Sequence, residues 1–201
     1  MAGIPLTKIL TTEERQKQIR AAVRESETLG SIARLARPED TTILTELLSD
    51  PGISGPIYLL PKMINESSVA GFIDQHLEER ERGEGLLTIT VDERGLVTAY
   101  HDIQFWPQWS ACELSGAIRT DRQSSGQGGA GAKASFDWLF NEIGVDLICE
   151  TAALTNVRTG RLLERIGFRY MGEVQSELPE GGTRPSRYWE LDRASWDKQY
   201  H

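Results

Sequence analysis

Apolar residues follow two kinds of spacing along the chain. Where they recur every three to four positions they predict amphipathic helices, and runs rich in Val, Ile and Thr predict strands. Helices are expected at about 12–26, 38–50, 66–82, 130–143 and 156–166, and strands at about 32–37, 86–91, 96–105, 111–118, 147–151, 170–174 and 187–191. This order of elements predicts an α+β (mixed α/β) chain with a mixed sheet.

The first helix differs from the others because its apolar stripe is short. Thr11-Thr12-Glu13-Glu14 has the Thr-x-x-Glu form of a capping box, in which a hydroxyl and a carboxylate bond the exposed amides of a helix start. The stripe that follows consists of Ile19, Ala22 and Val23. Such a helix is expected at the surface or against a partner. We therefore predict an N-terminal helical extension over 1–30 and a main domain over 31–201.

Length and charge argue against several classes of protein. The 201 residues suit a single domain that folds without disulfides or metals. A net charge of -8 and a pI near 5.0 have the wrong sign for gripping phosphate backbones, so no nucleic-acid partner is expected. No apolar run approaches the roughly 20 residues that span a bilayer, so we expect a cytoplasmic protein without membrane contact.

The cysteines and histidines do not suggest a metal site. Cys112 and Cys149 lie inside apolar, strand-like runs, which predicts two buried thiols. His76, His101 and His201 lack the close spacing that is typical of zinc sites. We therefore expect no structural metal.

A glycine-rich turn at 123–131 lies between a predicted strand and a predicted helix. Glycines let a phosphate approach the backbone, and the free amides at the helix start attract its charge. One interpretation is the dinucleotide fingerprint, because 126–131 satisfies G-x-G-x-x-G, which would indicate an oxidoreductase with a nicotinamide or flavin cofactor. Against it, the mostly polar residues 119–125 separate this motif from the strand that should directly precede it.

The second interpretation takes Gln123-x-x-Gly126-x-Gly128 as the unit. This pattern resembles the acetyl-CoA-binding motif Q/R-x-x-G-x-G/A of the GNAT superfamily of N-acetyltransferases. Residues 156–168 are similar to the superfamily segment N-x-x-S/T…L-x-E-x-x-G-F, at the expected distance after the glycine turn. Residues 34–40 resemble the opening strand and helix start of the RimJ/RimL-like branch. The two main motifs together are fairly specific.

The resemblance covers about 31–191 and implies a mostly antiparallel central sheet with helices on both faces. It also implies a splayed strand pair that holds acetyl-CoA as co-substrate. The residues implied to contact the cofactor are Ala117, Ile118 and Arg119 along the pantetheine arm, Ser124, Ser125, Gly126, Gln127, Gly128, Gly129, Ala130 and Gly131 around the pyrophosphate, and Asn156 and Thr159 on the next helix.

The implied reaction needs a group that takes a proton from the attacking amine, and two residues are candidates. Glu113 lies on the strand that leads to the glycine turn, with Ser115 two residues on along the same face. His101 lies on the preceding strand. Many superfamily members carry a tyrosine as general acid where this chain has Leu163, so that role cannot be carried over.

The implied partners are acetyl-CoA and a primary amine, which belongs to a small molecule or to a protein N-terminus. Transfer would occur by direct attack in a ternary complex, and a net charge of -8 fits a cationic amine. Relatives often form a dimer contact through the connection that corresponds to 177–185, which leaves a homodimer open. A non-catalytic acyl-CoA-binding module is the alternative to an enzyme.

Overall fold

The computed structural model describes residues 4–123, 127–179 and 181–200, and for residues 127 and 128 the backbone alone. Within these residues the α-helices are α1 (Glu13–Glu25), α2 (Thr41–Leu48), α3 (Pro51–Ser54), α4 (Glu66–Arg82), α5 (Gln127–Trp138), α6 (Val157–Ile166) and α7 (Arg193–Tyr200). The strands are β1 (Thr28–Leu29), β2 (Ala33–Leu35), β3 (Gly85–Val91), β4 (Val97–Trp106), β5 (Ala111–Ile118), β6 (Leu147–Ala153), β7 (Arg169–Glu177) and β8 (Thr183–Asp192).

The described strands form one sheet in the order β1-β2-β3-β4-β5-β6-β8-β7. Every neighbouring pair is antiparallel except β5 and β6, which run parallel. A parallel pair needs a long crossover, which α5 provides between the two strands. The predicted mixed, mostly antiparallel sheet is therefore confirmed.

Helices cover both faces of the sheet, and side chains alternate between these faces along each strand. On one face, called here the α5 face, Cys112 and Ile148 share a buried cluster with Phe136 of α5. On the other face, called the α4 face, Tyr100 of β4 shares a buried cluster with Ile73 of α4. The predicted burial of both cysteine thiols is confirmed.

Long periodic elements match their predictions more closely than short ones. Helix α4 and strand β5 have the bounds expected from the sequence. Strand β1 has two residues and helix α3 has four, too few for periodicity to indicate either element. Helix α7 was missed because it buries a single residue, Trp196. Helix α5 begins at Gln127, earlier than expected, and continues into a π-helical turn at Leu139–Ile143.

One expectation for α1 is corrected. The helix is capped by Thr12, whose Oγ1 accepts a hydrogen bond from the amide of Arg15 at 3.2 Å, one residue later than the capping-box pattern suggests. Ile19 and Val23 are fully buried in the cluster of the α5 face, whereas Lys17 and Gln18 are exposed, so the helix lies at the surface with one side packed on the core. Two buried side chains one turn apart are enough to dock a short helix. The division of the chain at residue 30 stays a prediction.

The burial of Ile19 leads to a stability prediction. Replacing Ile19 by Ala should lower the free energy of unfolding by about 2–5 kcal/mol, because it leaves a cavity in the main core. Lys17→Ala, on the exposed side of the same helix, should change it by less than about 0.5 kcal/mol. Urea denaturation measures both values, and an Ile19→Ala variant as stable as the Lys17→Ala control would show that α1 is dispensable to the core.

Candidate functional site

The candidate site lies where the sheet opens between two parallel strands. Strand β5 pairs with β4 along its whole length, from Ala111 opposite Trp106 to Ile118 opposite Ala99. Its pairing with β6 covers three positions and ends where Glu113 lies opposite Cys149. Beyond that pair, β5 and β6 no longer pair with each other, so a gap opens between them.

A glycine keeps β5 against β4 at this gap. Gly116 lies opposite His101 and has a φ of +150°. A Cβ atom at this position would collide with the backbone carbonyl oxygen of Tyr100. Only glycine fits such a close approach, so this residue was a signal in the sequence that our prediction of the site did not use.

A cavity of about 1070 Å³ occupies the gap and is wide enough for a large ligand. It reaches both sides of the sheet, because residues of α3 and the segment after it line it together with residues of α5 and α6. Its lining includes Ile53, Pro56, Ile57, Leu114, Ser115, Gly116, Ala117, Ile118, Ser135, Phe136, Glu150, Leu162 and Leu163.

Six of the residues implied to bind the cofactor line this cavity, namely Ala117, Ile118, Gly129, Gly131, Asn156 and Thr159. Asn156 also caps α6, since its side chain accepts a hydrogen bond from the Thr159 amide at 3.2 Å. Ala130 and Arg119 are not part of the lining. The Arg119 side chain instead binds both carboxylate oxygens of Asp121, at 2.9 and 3.0 Å.

The remaining cofactor predictions fall where less is described. Ser124, Ser125 and Gly126 lie outside the described residues. Gln127 and Gly128 form the first positions of α5, and their side chains are also outside the description. Helix α5 thus starts within the segment 123–131 that was predicted as a turn, and Gly129 and Gly131 of its first turns line the cavity.

Four arginines also line the cavity, and none of them was predicted. They are Arg122, Arg158, Arg161 and Arg165. The last three recur at intervals of three and four along α6, a spacing that places them on one helix face and was visible in the sequence. In a chain with a net charge of -8, this concentration of positive charge beside a helix start favours an anionic ligand.

Glu113 is buried at the point where the strands part, on the α4 face. Thr151 Oγ1 donates a hydrogen bond to Oε1 of Glu113 at 2.6 Å. The Tyr58 hydroxyl lies 3.0 Å from Thr151 Oγ1, and it must be the donor because the single proton of Thr151 is given to Glu113. Tyr58 is held in turn by the guanidinium of Arg184, which lies 3.7 Å from the centre of its ring.

Burial raises the pKa of Glu113 to about 7, and the negative charge of Asp102 contributes in the same direction. The hydrogen bond from Thr151 opposes this rise, since it favours the charged form. Glu113 does not itself line the large cavity, but Ser115, two residues further along the same face, does. The carboxylate therefore lies beside the cavity and not within it.

His101 lies on the other side of the sheet from Glu113. Its side chain lines the cavity, and Nδ1 lies 3.3 Å from the Thr88 hydroxyl. Burial lowers the pKa of His101 to about 4, so the imidazole is neutral at physiological pH. The two candidate bases are thus not neighbours, because residues at alternate register positions point to opposite faces.

A second buried glutamate, Glu150, lines the cavity on the α5 face and was not predicted as a site residue. Burial raises its pKa well above the ordinary value for glutamate, and the negative charge of Glu113 adds to this.

The described residues contain no group of three or more His, Cys, Asp or Glu that is arranged to hold a metal ion.

Comparison with known proteins identifies the family. A model of the acetyltransferase (GNAT) domain matches residues 32–169. The chain therefore belongs to the GNAT acetyltransferase family, and the resemblance found in the sequence is confirmed. This membership makes the chain an N-acetyltransferase.

Solved structures agree with this fold. The ribosomal-protein-S5-alanine acetyltransferase of Vibrio fischeri is 13% identical, with a TM-score of 0.68 over 82% of this chain and 93% of that one. AAC(6')-Ib, solved with ribostamycin and coenzyme A, is 18% identical, with a TM-score of 0.68 over 85% and 97%. Mycobacterium smegmatis RimJ, solved with CoA-disulfide, is 17% identical, with a TM-score of 0.68 over 81% of each chain.

No curated protein sequence matches the chain significantly. Across the described parts of the chain, none of the helices is long and apolar enough to cross a membrane.

The raised pKa of Glu113 leads to a prediction about stability and pH. Because the folded state binds the proton more tightly than the unfolded chain, Glu113 stabilises the fold below its unfolded pKa of 4.5, and this contribution is lost as pH rises through about 7. The Glu113→Gln variant has no titrating group at this position. The free energy of unfolding of the variant should therefore rise relative to that of the wild type by up to about 3 kcal/mol as pH increases over this range.

Urea denaturation between pH 4.5 and pH 8 measures this difference. Glu173→Gln, which removes an exposed carboxylate of β7, is the control and should follow the wild type. A Glu113→Gln curve that runs parallel to the wild type across the range would show that Glu113 is not held in its neutral form.

Proposed function

We propose that this enzyme transfers the acetyl group of acetyl-CoA to a primary amine by direct attack within a ternary complex. The observation that carries the proposal is the parting of β5 and β6 beyond Glu113, because it opens a path for a thioester through the sheet. The cavity in this gap is accessible to one ligand from the α5 face and to another from the α4 face.

The cofactor would enter on the α5 face. Residues 124–131 would hold the pyrophosphate, since backbone amides and a helix start favour a doubly charged anion. Residues 117–119 would follow the pantetheine arm, and Asn156 and Thr159 would contact it from α6. The amide and the carbonyl of Arg119 are bonded to Thr98 and Arg122, and its guanidinium to Asp121, so Arg119 would contact the arm by packing alone. The arginines of α6 supply further charge for the phosphates.

Glu113 is the preferred base. A base must accept a proton near neutral pH, and the pKa of about 7 given to Glu113 by burial is suited to that task. The His101 imidazole, with a pKa of about 4, is a weaker base and lies on the opposite face. The Tyr58-Thr151 pair fixes one oxygen of Glu113, which leaves the second oxygen to accept the amine proton directly or through a water.

The acceptor would approach on the α4 face, past Tyr58 and the residues that follow α3. The related structures name an alanine of a ribosomal protein in one case and contain ribostamycin in another, so both a protein N-terminus and a small amine fit the proposal.

We further propose that residues 1–30 are an extension of a catalytic domain at 31–201, and that the enzyme acts as a monomer or a homodimer in the cytoplasm.

A panel of primary amines tests the function directly. Release of the CoA thiol is followed with polyamines, aminoglycosides and peptides with free N-termini, and acetyl-CoA, CoA and NAD(P) are compared in thermal-shift assays. The proposal expects acetyl-CoA to stabilise the fold and at least one amine to release CoA. Binding without release from any amine would favour the non-catalytic acyl-CoA module, and stabilisation by NAD(P) alone would favour the oxidoreductase.

The role of Glu113 leads to a kinetic prediction. Glu113→Gln should keep the affinity for acetyl-CoA and lower turnover by roughly 10²- to 10⁴-fold near neutral pH. In the wild type, turnover should rise with pH through about 7 as Glu113 loses its proton. The variant should lose this step and recover part of the rate at higher pH, where more of the amine is already neutral.

The pH profile of kcat is the measurement, with Glu173→Gln as the control for loss of an exposed carboxylate. Near-normal turnover by Glu113→Gln across the pH range, together with impaired turnover by His101→Ala, would transfer the role to His101.

The glycine positions of α5 lead to a prediction about binding. A Cβ at Gly131 would meet no atom within 4 Å, and this residue lines the cavity. Gly131→Leu should therefore fold and weaken acetyl-CoA binding by filling space that the cofactor needs. Gly71→Leu on α4 is the matched control, because a Cβ there also meets nothing within 4 Å and Gly71 lies away from the cavity. Calorimetric titration gives both affinities, and equal affinity in the two variants would refute the cofactor assignment of Gly131.

A further inference from the structure

Glu150 occupies a special position in the split sheet. The last pair between the parallel strands joins Glu113 and Cys149, so Glu150 is the first residue of β6 beyond the split. Its counterpart on the other strand is Leu114. Both residues line the cavity, and so does Leu163 of α6, which covers this end of the gap on the α5 face.

The carboxyl group of Glu150 has no partner among the described residues. The residue is 7% exposed, and no hydrogen bond or ion pair involves its side chain within that part of the chain. A buried carboxylate without donors is costly, and the loss of hydration that causes this cost raises the pKa of Glu150. Burial therefore favours the protonated form of the Glu150 carboxyl group, which lines the cavity.

We infer that Glu150 is the general acid that protonates the sulfur atom of CoA as it leaves. The inference rests on the proposed function and assigns a residue to the second part of the reaction, in which the CoA sulfur leaves. A thiolate that departs into a gap lined by Leu114, Leu163 and Phe136 has little water to stabilise it. Among the described residues that line the cavity, Glu150 is the buried carboxyl group on this face.

The two glutamates divide the proton transfers between the two faces of the sheet. The amine nitrogen attacks the acetyl carbonyl carbon, a C–N bond forms, and the amine proton passes to Glu113. The C–S bond then breaks with its electron pair on sulfur, and the proton of Glu150 moves to that sulfur. The products are the N-acetylated amine and the CoA thiol, and a proton transferred through solvent from Glu113 to Glu150 restores the starting state.

The electrostatics of the pair fit this division. The negative charge of an ionised Glu113 raises the pKa of Glu150, so loss of the proton from Glu113 favours the protonated form of Glu150. A thiol has an ordinary pKa of about 8.5, and an acid whose pKa lies well above that of a solvated carboxyl is better matched to a thiolate than to water.

Glu150→Gln is the direct test, because glutamine keeps the size of the side chain and has no acidic proton. We expect acetyl-CoA affinity within about twofold of the wild type, and single-turnover acetyl transfer to an accepted amine that is roughly 10²- to 10⁴-fold slower. Glu150→Asp, which keeps an acid, should recover part of the rate. Glu190→Gln is the matched control, since Glu190 is equally buried but bound by Thr7 and Tyr188 on the α4 face.

Changing the leaving group separates an acid from a structural residue. With the acetyl thioester of an aryl thiol, whose thiolate leaves without a proton, the deficit of Glu150→Gln relative to the wild type should shrink by about tenfold or more. If Glu150→Gln does not fold, Glu150→Leu, which matches its apolar neighbours, carries the same two expectations.

Two results would overturn the inference. One is a folded Glu150 variant with wild-type single-turnover rates, and the other is a deficit that does not depend on the leaving group. Neither result affects the proposed function, which fails separately if the wild type transfers no acetyl group to any amine of the panel.

Discussion

The structure depends on one interruption of backbone hydrogen bonding, the early end of pairing between β5 and β6. Unpaired backbone groups inside a protein are costly, so two strands that part in the middle of a sheet must be held in place by other contacts. The support comes from the outer neighbours, since β5 stays paired with β4 along its length and β6 with β8 from Leu147 to Ala153. The open amides and carbonyls between them are a site for a ligand that has its own amide groups.

The same interruption accounts for the two buried glutamates. Glu113 is the last residue of β5 that pairs with β6, and Glu150 is the first residue of β6 beyond this pairing. Because side chains alternate between the two faces of a sheet, the two glutamates point to opposite faces. Each carboxyl group is buried away from water, and this burial raises its pKa above that of a solvated carboxyl group. Among the described residues Glu113 has a hydroxyl donor and Glu150 has none, so the ionised form is stabilised by a hydrogen bond at Glu113 and not at Glu150. In the proposed mechanism, the same type of side chain thereby supplies both a base and an acid.

Much of the fold and part of the site were predictable from the sequence. Helix α4 and strand β5 were predictable from their long periodic patterns, and the glycine-rich segment contributes Gly129 and Gly131 to the cavity lining. Alternation placed Glu113 near the split but did not fix which face of the strand carries it. Glu150 was missed because its strand is otherwise apolar, and Tyr58 because it reaches Thr151 from an irregular segment, a contact that depends on tertiary structure.

Hydrogen exchange of the wild-type chain with and without saturating acetyl-CoA tests most directly that the split between β5 and β6 holds the cofactor. The account predicts slower exchange in peptides that contain residues 114–118 and the start of α5, because pantetheine and phosphate groups then occupy their open amides. Peptides from β7, which lies at the sheet edge beyond β8 and contributes no residue to the cavity lining, should exchange at the same rate in both samples. Acetyl-CoA binding that leaves residues 114–118 unprotected would contradict the account.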